Sequence, residues 1–351
     1  MRIGQPLLWP LSIPYAAVSR FRAAAYQSRI LHPKRLDAVV ISVGNLTVGG
    51  TGKTPMVLSI AERLLAEGKR TGILTRGYRG HATNSTRPGS VGADSTSDEV
   101  QLLKARLGPQ VAFGIGADRF ASGRNLVRDG VNWLVLDDGF QHLQLARDVN
   151  ILLIDATDPF GGGRVLPAGR LREPRSGLAR ADIVIITRSD HAPAVESLIR
   201  RYSKAPVFYA QTKLEGVRSF YDGQWGGHLA PEEGRRLFAF CGIANPSAFA
   251  ADLRRWGFEV AGHKFFPDHH RYEAADEDAI AKEAVAAGAA GLVCTEKDIY
   301  KLNQLLYRRP HLFCCVISVQ ISQEAEFWRT AMSVAASSWH ADEMKLPFPA
   351  R

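Results

Sequence analysis

The sequence of 351 residues predicts an α/β protein with two domains. Three observations lead to this fold class. Short apolar runs alternate with helical stretches from residue 37 onward, a glycine-rich loop joins a predicted strand to a predicted helix, and the same alternation resumes after a glycine-interrupted β-rich stretch. Buried strands that alternate with helices are typical of parallel sheets covered on both faces. The expected divisions are an N-terminal segment at 1–36, a first domain at 37–211, and a linker with a second, smaller α/β domain at 212–351.

The first domain is expected to begin with the strand "DAVVISVG", the glycine loop and the helix "KTPMVLSIAERLLAEG", in which Leu58, Ala61, Leu64 and Leu65 share one face. Its further predicted strands are "TGILTRG", "QVAFGIG", "NWLVLDDG", "NILLIDA" and "DIVIITRSD". The stretch "VFYAQTKLEGVRSFYDGQWGG" alternates polar and apolar residues around glycines, which is typical of a hairpin and predicts a hairpin-like linker. Residues 80–97 are predicted to form a mobile loop.

The N-terminal segment is expected to contact a membrane surface. Its apolar run from Leu7 to Val18 is too short for a membrane-spanning helix, which needs about 20 apolar residues. Six basic residues precede Asp37, the first acidic residue of the chain. Apolar side chains with unopposed positive charge favour a helix that lies on an anionic membrane. The alternative is a helix packed on its own protein.

Charge and cysteine usage narrow the function classes. Lys and Arg exceed Asp and Glu by 44 to 35, which favours an anionic partner. The basic residues are scattered and no DNA- or RNA-binding motif is present, so a nucleic acid is not the expected partner. The four cysteines have no metal-site spacing, which indicates buried thiols in a reducing compartment.

The stretch "GNLTVGGTGKTP" predicts a phosphate-binding loop. Its expected nucleotide contacts are Thr47, Val48, Gly49, Gly50, Thr51, Gly52, Lys53 and Thr54. Glycines let backbone N–H groups turn toward phosphates, a lysine reaches the terminal phosphates and a threonine hydroxyl binds Mg²⁺. Thr47 stands where the strict motif has glycine, and Val48 stands where partitioning-type ATPases have a second lysine.

Three further stretches carry candidate catalytic groups. In "NWLVLDDGFQH", Asp137 and Asp138 follow a strand, which predicts carboxylates that hold Mg²⁺ directly or through water. In "SDEVQLL", Asp98 is a candidate acid–base residue, but a carboxylate in the first turn of a helix explains it equally well. In "FFPDHHRY", His269 follows a strand and suits proton transfer near neutral pH. The candidate substrate contacts are Arg76, Arg79, Gln141, His142, Arg172 and Glu173.

Together, the motifs resemble the tetraacyldisaccharide 4′-kinase family of Gram-negative bacteria. The matching pieces are "GNLTVGGTGKTP", "TRGYRG", "SDE", "DDGFQH", "LREP", "CGIANP", "PDHH" and "TEKD". The resemblance implies transfer of the γ-phosphate of ATP to the 4′-hydroxyl of a tetraacylated glucosamine disaccharide 1-phosphate, which gives lipid IVA. It implies Mg²⁺, a lipid-linked acceptor and work at the cytosolic face of the inner membrane.

The resemblance also implies residue roles: Asp98 as the base on the sugar hydroxyl, partnered by His269, with one residue on each domain. Domain closure would then complete the base and restrain wasteful ATP hydrolysis. The alternatives are a P-loop GTPase or partitioning-type ATPase switch, a nucleic-acid-binding protein and a membrane adaptor without activity. The oligomeric state and the acyl-chain preference stay open.

Overall fold

The computed structural model describes residues 8–77, 97–221, 224–229, 236–302 and 312–343. The chain divides into two compact units. The first comprises Met1–Arg76, Leu107–Thr212 and Val319–Arg351, and the second comprises Gly77–Arg106 and Lys213–Ser318. The expected domains, 37–211 and 212–351, differ from this division in two places. Gly77–Arg106 belong to the second unit rather than the first, and Val319–Arg351 belong to the first unit rather than the second. Arg79 and residues 80–96 of the expected loop lie outside the described residues.

The first unit is built on a parallel sheet, as predicted. Its strands are β1 (Val39–Asn45), β2 (Thr71–Thr75), β3 (Ala112–Ile115), β4 (Trp133–Asp137), β5 (Val149–Asp155), β6 (Ile183–Thr187) and the start of β7 (Val207–Tyr221). They follow the order β7-β6-β5-β1-β4-β2-β3, and each of these pairings is parallel. Because parallel strands end at one edge of the sheet, the polar residues after β1 and β4 meet there.

The helices of the first unit are α1 (Trp9–Gln27), α2 (Lys53–Ala66), α4 (Arg119–Arg128), α5 (Pro193–Arg200) and α9 (Glu324–Glu343). Helix α2 buries Leu58, Ala61 and Leu64, as its periodicity predicts, but Leu65, predicted on the same face, is only partly buried. Helix α9 belongs to this unit because its buried Phe327 packs edge-to-face on Phe208 of β7, with ring centroids 5.6 Å apart. Edge-to-face contact is a favourable aromatic geometry, and burial of the two rings stabilises the packing of α9 on this unit.

The second unit also contains a parallel sheet, with the order β10-β9-β11-β12. Its elements are α3 (Asp98–Leu107), β8 (Gln224–Leu229), β9 (Arg236–Cys241), α6 (Pro246–Arg255), β10 (Glu259–Phe265), α7 (Ala274–Ala286), β11 (Gly291–Thr295), α8 (Glu296–Ile299) and β12 (Leu312–Ile321). Strand β8 pairs antiparallel with the second half of β7. All four cysteines are free and buried, which confirms that they are core thiols.

Helix α1 exposes much of its apolar surface. Val18 and Phe21 are 69% and 77% exposed. On the other face, the buried Ser12 hydroxyl donates to the carbonyl of Val165 and accepts from the N–H of Ala168, both at 3.0 Å. In the described part of the chain, the helices fall short of the length and apolar character that crossing a membrane requires. One face of α1 is thus attached to its own unit and the other is left uncovered.

Adjacent leucines of α2 test the core of the first unit. Leu64 is fully buried and Leu65 is partly exposed. We expect Leu64→Ala to lower the free energy of unfolding by about 2–5 kcal/mol, because it leaves a cavity. Leu65→Ala removes the same atoms from a site that solvent already reaches, so its effect should be clearly smaller. Equilibrium urea unfolding of both variants measures the difference, and equal losses would contradict this packing.

Candidate active site

The glycine loop joins β1 to α2 as the sequence predicts. Gly52 has a φ of 84° and directly precedes Lys53, the first residue of α2. This left-handed conformation costs glycine little and turns the chain into the helix, whose first N–H groups have no partner within the helix. Lys53 Nζ donates to Asn45 Oδ1 at 3.1 Å and lies 3.6 Å from Asp138 Oδ1. The start of α2 therefore combines the backbone N–H groups of a helix N-terminus with a lysine ammonium, which suits an anion.

A second segment fixes the shape of this loop. The N–H of Val48 donates to the carbonyl of Arg170, and the N–H of Arg172 donates to the carbonyl of Leu46, both at 2.7 Å. Thr47 lies opposite Leu171 in an antiparallel bridge and is 4% exposed. The position where the strict motif has glycine is thus paired as in a strand, so a threonine fits there without strain.

Asp137 and Asp138 lie at the carboxyl end of β4. Asp137 Oδ2 accepts from the Thr75 hydroxyl at 3.3 Å, and Arg172 Nη1 lies 2.7 Å from both carboxylate oxygens of Asp138. Burial opposes ionisation of Asp138, but the charges of Lys53 and Arg172 outweigh it and hold its pKa below the usual range. Asp138 is therefore ionised at neutral pH.

The residues predicted to hold Mg²⁺ are chemically suited to it. Thr54, Asp137 and Asp138 offer a hydroxyl and two carboxylates, and Mg²⁺ prefers such oxygen ligands. Thr54 and Asp137 are buried at 7% and 9% exposure, so their oxygens are positioned by the fold rather than by solvent. Asp137 ends β4 and Asp138 directly follows it, and β4 neighbours β1, which leads into the loop.

Gln141 and Glu173 are hydrogen-bonded to each other, and Gln141 also contacts the end of β1, which leads into the loop. Gln141 Nε2 donates to the carbonyl of Asn45 at 2.9 Å and to Glu173 Oε1 at 2.8 Å. Glu173 is 4% exposed and also pairs with Arg180 at 2.7 Å. These contacts join the segment after β4 to the end of β1, so both predicted substrate contacts also serve the internal structure of the site.

Arg119 is a candidate that sequence reasoning missed. Its side chain is buried, its Nη1 lies 3.5 Å from His142 Nδ1, and its buried Nε has no hydrogen-bond partner among the described residues. Burial and the nearby charge of Arg76 lower the pKa of Arg119. Burial and Arg119 also lower the pKa of His142, to about 4. An arginine at the start of a helix has no distinguishing pattern in sequence, and only the fold reveals that its side chain is buried with an unsatisfied Nε among the described residues.

The second unit contains the other predicted pair. Asp98 is the first residue of α3, and its Oδ1 lies 3.1 Å from Nδ1 of His269. His269 has a φ of 59°, a left-handed conformation that is uncommon outside glycine. The two residues come from segments 171 positions apart and meet within one unit. The expectation that they come from different domains is therefore wrong, because α3 belongs to the second unit.

The charges around this pair favour an ionised carboxylate and a protonated imidazole. Burial opposes ionisation of Asp98, but the hydrogen bond with His269 and the lysines at 301 and 297 outweigh it and hold its pKa well below the usual range. The hydrogen bond to Asp98 raises the pKa of His269. Ligand atoms of Asp98, Glu99 and His269 lie within 4.8 Å of one another, as in a metal site. Lysine ammonium groups lie against both carboxylates, and a protonated imidazole has no lone pair for a metal, so we assign no metal there.

A family model described as tetraacyldisaccharide-1-P 4′-kinase matches residues 4–335. The chain belongs to this family. The tetraacyldisaccharide 4′-kinase of Geobacter metallireducens is 42% identical over 334 residues, which are 91% of this chain and 95% of that protein. The protein of the same name from Anaeromyxobacter dehalogenans is 42% identical over 318 residues, which are 86% of this chain and 82% of that protein.

A solved structure is also similar. The crystal structure of LpxK from Aquifex aeolicus in complex with ATP matches with a TM-score of 0.69 and 28% identity. The match covers 94% of this chain and 99% of that chain. The family resemblance that the motifs indicated is thereby confirmed, and it extends beyond the motifs at 40–300 to nearly the whole chain.

The pKa values of His142 and His269 should be shifted in opposite directions from the ordinary value. We expect His142 to titrate near pH 4 and His269 above the ordinary value of about 6.5. Side-chain NMR of ¹⁵N-histidine protein, assigned with His142→Gln and His269→Gln, measures both. Asp98→Asn should lower the pKa of His269, because it removes the anion that stabilises the imidazolium. An unchanged pKa would contradict the contact between the two side chains.

Proposed function

We propose that this protein transfers the γ-phosphate of ATP to the 4′-hydroxyl of tetraacyldisaccharide 1-phosphate and so forms lipid IVA. The proposal rests on membership of the kinase family and on one observation within the first unit: Lys53, at the start of α2, lies 3.6 Å from Asp138. This places a phosphate-binding ammonium beside a carboxylate that suits the accompanying metal. The similar LpxK structure from Aquifex aeolicus is a complex with ATP, which supports the choice of nucleotide.

The glycine loop would hold the phosphates of ATP. Backbone N–H groups of the loop and of the first turn of α2 would donate to them, and the helix dipole there favours negative charge. Mg²⁺ would be held by Thr54, Asp137 and Asp138, and it supplies neutralisation of the phosphate charge when bound. Arg172 keeps Asp138 ionised and in place through contacts of 2.7 Å.

Asp98 would orient the 4′-hydroxyl and accept its proton. Phosphoryl transfer passes through a loose transition state, so positioning and charge neutralisation contribute more than a strong base. A carboxylate whose pKa lies below the usual range still suits this role, because the proton leaves the hydroxyl late. His269 fixes the orientation of Asp98 through its hydrogen bond of 3.1 Å and balances its charge.

Arg119 and Arg76 would bind a phosphate of the substrates. Arg119 is buried, and its Nε has no hydrogen-bond partner within the described part of the chain. A buried guanidinium is stabilised by an anion that completes its hydrogen bonds. The neutral imidazole of His142 beside it can accept or donate one further hydrogen bond without adding charge. Arg79, in the same arginine-containing motif, remains a proposed contact.

The uncovered face of α1 would rest on the membrane that carries the acceptor. Exposed apolar side chains, Val18 and Phe21 among them, lie beside Arg20 and Arg22, a combination that suits an anionic bilayer surface. We place the enzyme at the cytosolic face of the inner membrane, where ATP and the lipid acceptor are both available.

Phosphoryl transfer is tested with γ-labelled ATP, Mg²⁺ and tetraacyldisaccharide 1-phosphate in detergent micelles. The wild-type protein should label the lipid. Lys53→Ala should lower the rate by about 100-fold or more, because it removes a phosphate ligand. Asp98→Asn should lower it by roughly 100- to 10,000-fold while ATP binding persists. Matched controls are Lys204→Ala and Asp278→Asn, which alter exposed residues of the same types.

Each outcome of this assay has one meaning. Rapid ATP hydrolysis without labelled lipid in the wild-type protein would refute the proposed acceptor and favour a nucleotide switch. Near-normal transfer by Asp98→Asn would leave the kinase activity intact and refute the assigned base. Both controls should retain the wild-type rate.

Membrane contact is tested by co-sedimentation with vesicles that contain phosphatidylglycerol. We expect Phe21→Glu to weaken binding by roughly 10-fold, because it places a charge on the apolar face and repels anionic lipid. Val285→Glu is the control, since Val285 is equally exposed on α7 of the other unit. Binding should also fall as salt rises. Equal binding of both variants would exclude α1 as the contact surface.

A further inference from the structure

The motif "TEKD" at 295–298 has no role in the function proposed above. Its last residue, Asp298, is a fully buried carboxylate. Oδ1 accepts from the N–H of Gly242 at 2.9 Å and from the hydroxyl of Tyr272 at 3.0 Å, and Oδ2 accepts from the hydroxyl of Thr295 at 2.6 Å. A buried carboxylate persists only when such donors replace water. Asp298 is thus a fixed anchor inside the second unit.

Lys301 links this anchor to the proposed base. Its Nζ lies 3.4 Å from Asp298 Oδ1, 3.1 Å from Asp98 Oδ2 and 3.0 Å from the carbonyl oxygen of Gly242. Lys301 Nζ donates hydrogen bonds to Gly242 and Asp298, whereas its contact with Asp98 Oδ2 is an ion pair without hydrogen-bond geometry. The Lys301 side chain is 7% exposed, so water contributes little to its solvation. The charge of Lys301 is therefore balanced by two carboxylates that it holds in place.

The same carbonyl positions His269. The N–H of His269 donates to the carbonyl of Gly242 at 3.2 Å. A Cβ on residue 242 would lie 3.1 Å from His270 Cβ and 3.2 Å from the carbonyl oxygen of Pro267, so a side chain there would push this turn away. The motifs "CGIANP", "PDHH" and "TEKD" therefore meet at one hydrogen-bonded cluster, which contacts both members of the Asp98–His269 pair.

We propose that Lys301, anchored by Asp298, is a positioning residue that fixes the carboxylate of Asp98 for proton acceptance. This inference rests on the role proposed for Asp98 above. His269 forms a hydrogen bond with Oδ1, and the ammonium of Lys301 attracts Oδ2 from 3.1 Å, so the two contacts together restrict rotation of the carboxylate. A carboxylate has about four lone-pair sites, so both oxygens keep one site for the acceptor hydroxyl.

Loss of the Lys301 charge should raise the pKa of both Asp98 and His269. With Lys301 replaced by a neutral residue, the ionised forms of Asp98 and Asp298 repel each other with less compensation, so the pKa of Asp98 rises. The imidazolium of His269 loses a repelling neighbour, so its pKa rises as well. The titratable groups around Asp98 are Glu99, Asp268, His269, Lys297, Asp298 and Lys301.

The test compares Lys301→Met with Lys282→Met, which removes an exposed lysine from α7 of the same unit. Lys301→Met should lower kcat by roughly 10- to 100-fold with an unchanged KM for ATP, because misplacement of a reacting group slows chemistry rather than nucleotide binding. It should also raise the pKa of His269, measured by histidine NMR, by roughly half a unit to one unit. Lys282→Met should match the wild type in both measurements.

Two results would overturn the proposal. One is a folded Lys301→Met with wild-type kcat. The other is a reduced kcat that accompanies a lower Tm while the pKa of His269 stays at the wild-type value, since that pattern reports a structural role alone. If Lys301→Met does not fold, Lys301→Gln keeps amide donors without the charge and is judged by the same criteria. A wild-type protein that does not label the lipid would refute the proposed function instead, and the titration of His269 would still report on the contact.

Discussion

In each unit, a carboxylate of the candidate functional residues depends on cationic partners. Taking an anion out of water is costly unless a cation or several donors replace the solvent. In the first unit, Asp138 is held by Arg172 and Lys53. In the second, Asp98 is held by His269 and Lys301. Each pairing keeps a carboxylate ionised and limits its rotation, which is what metal binding and proton acceptance require.

This constraint explains why the site depends on segments that carry no reacting group. Arg172 reaches Asp138 because the segment before it pairs with the glycine loop through Val48 and Leu46. Gln141 and Glu173 connect the same region to the end of β1. The length of the glycine-rich connection between β5 and β6 is therefore explained by its packing against the loop. Ser12 of α1 forms hydrogen bonds with the same connection. The proposed membrane helix and the phosphate loop are therefore both attached to the segment between β5 and β6.

Much of the fold could be predicted because strands and helices leave local signals. The apolar runs of β1 to β6, the helix after Gly52 and the buried cysteines follow directly from pattern and composition. The division of the chain into units could not be predicted in the same way. Residues 98–107 are helical by local pattern, but they join the second unit through side-chain contacts between Asp98 and residues about 170 to 200 positions later. The same limit hid Arg119, whose buried Nε has no hydrogen-bond partner among the described residues.

The sequence by itself determined the chemistry that is available: a loop with Lys53 and Thr54, two aspartates after a strand, and a histidine in a turn between strand and helix. It also determined the family, because the motifs occur together and in order. The tertiary structure decided which groups act on one another. It brought Asp98 and His269 into one unit, paired Thr47 with Leu171, and placed Lys301 between two carboxylates. The physical reason is that hydrogen bonds and charge interactions depend on distance in space, and the spacing of residues along the chain does not specify that distance.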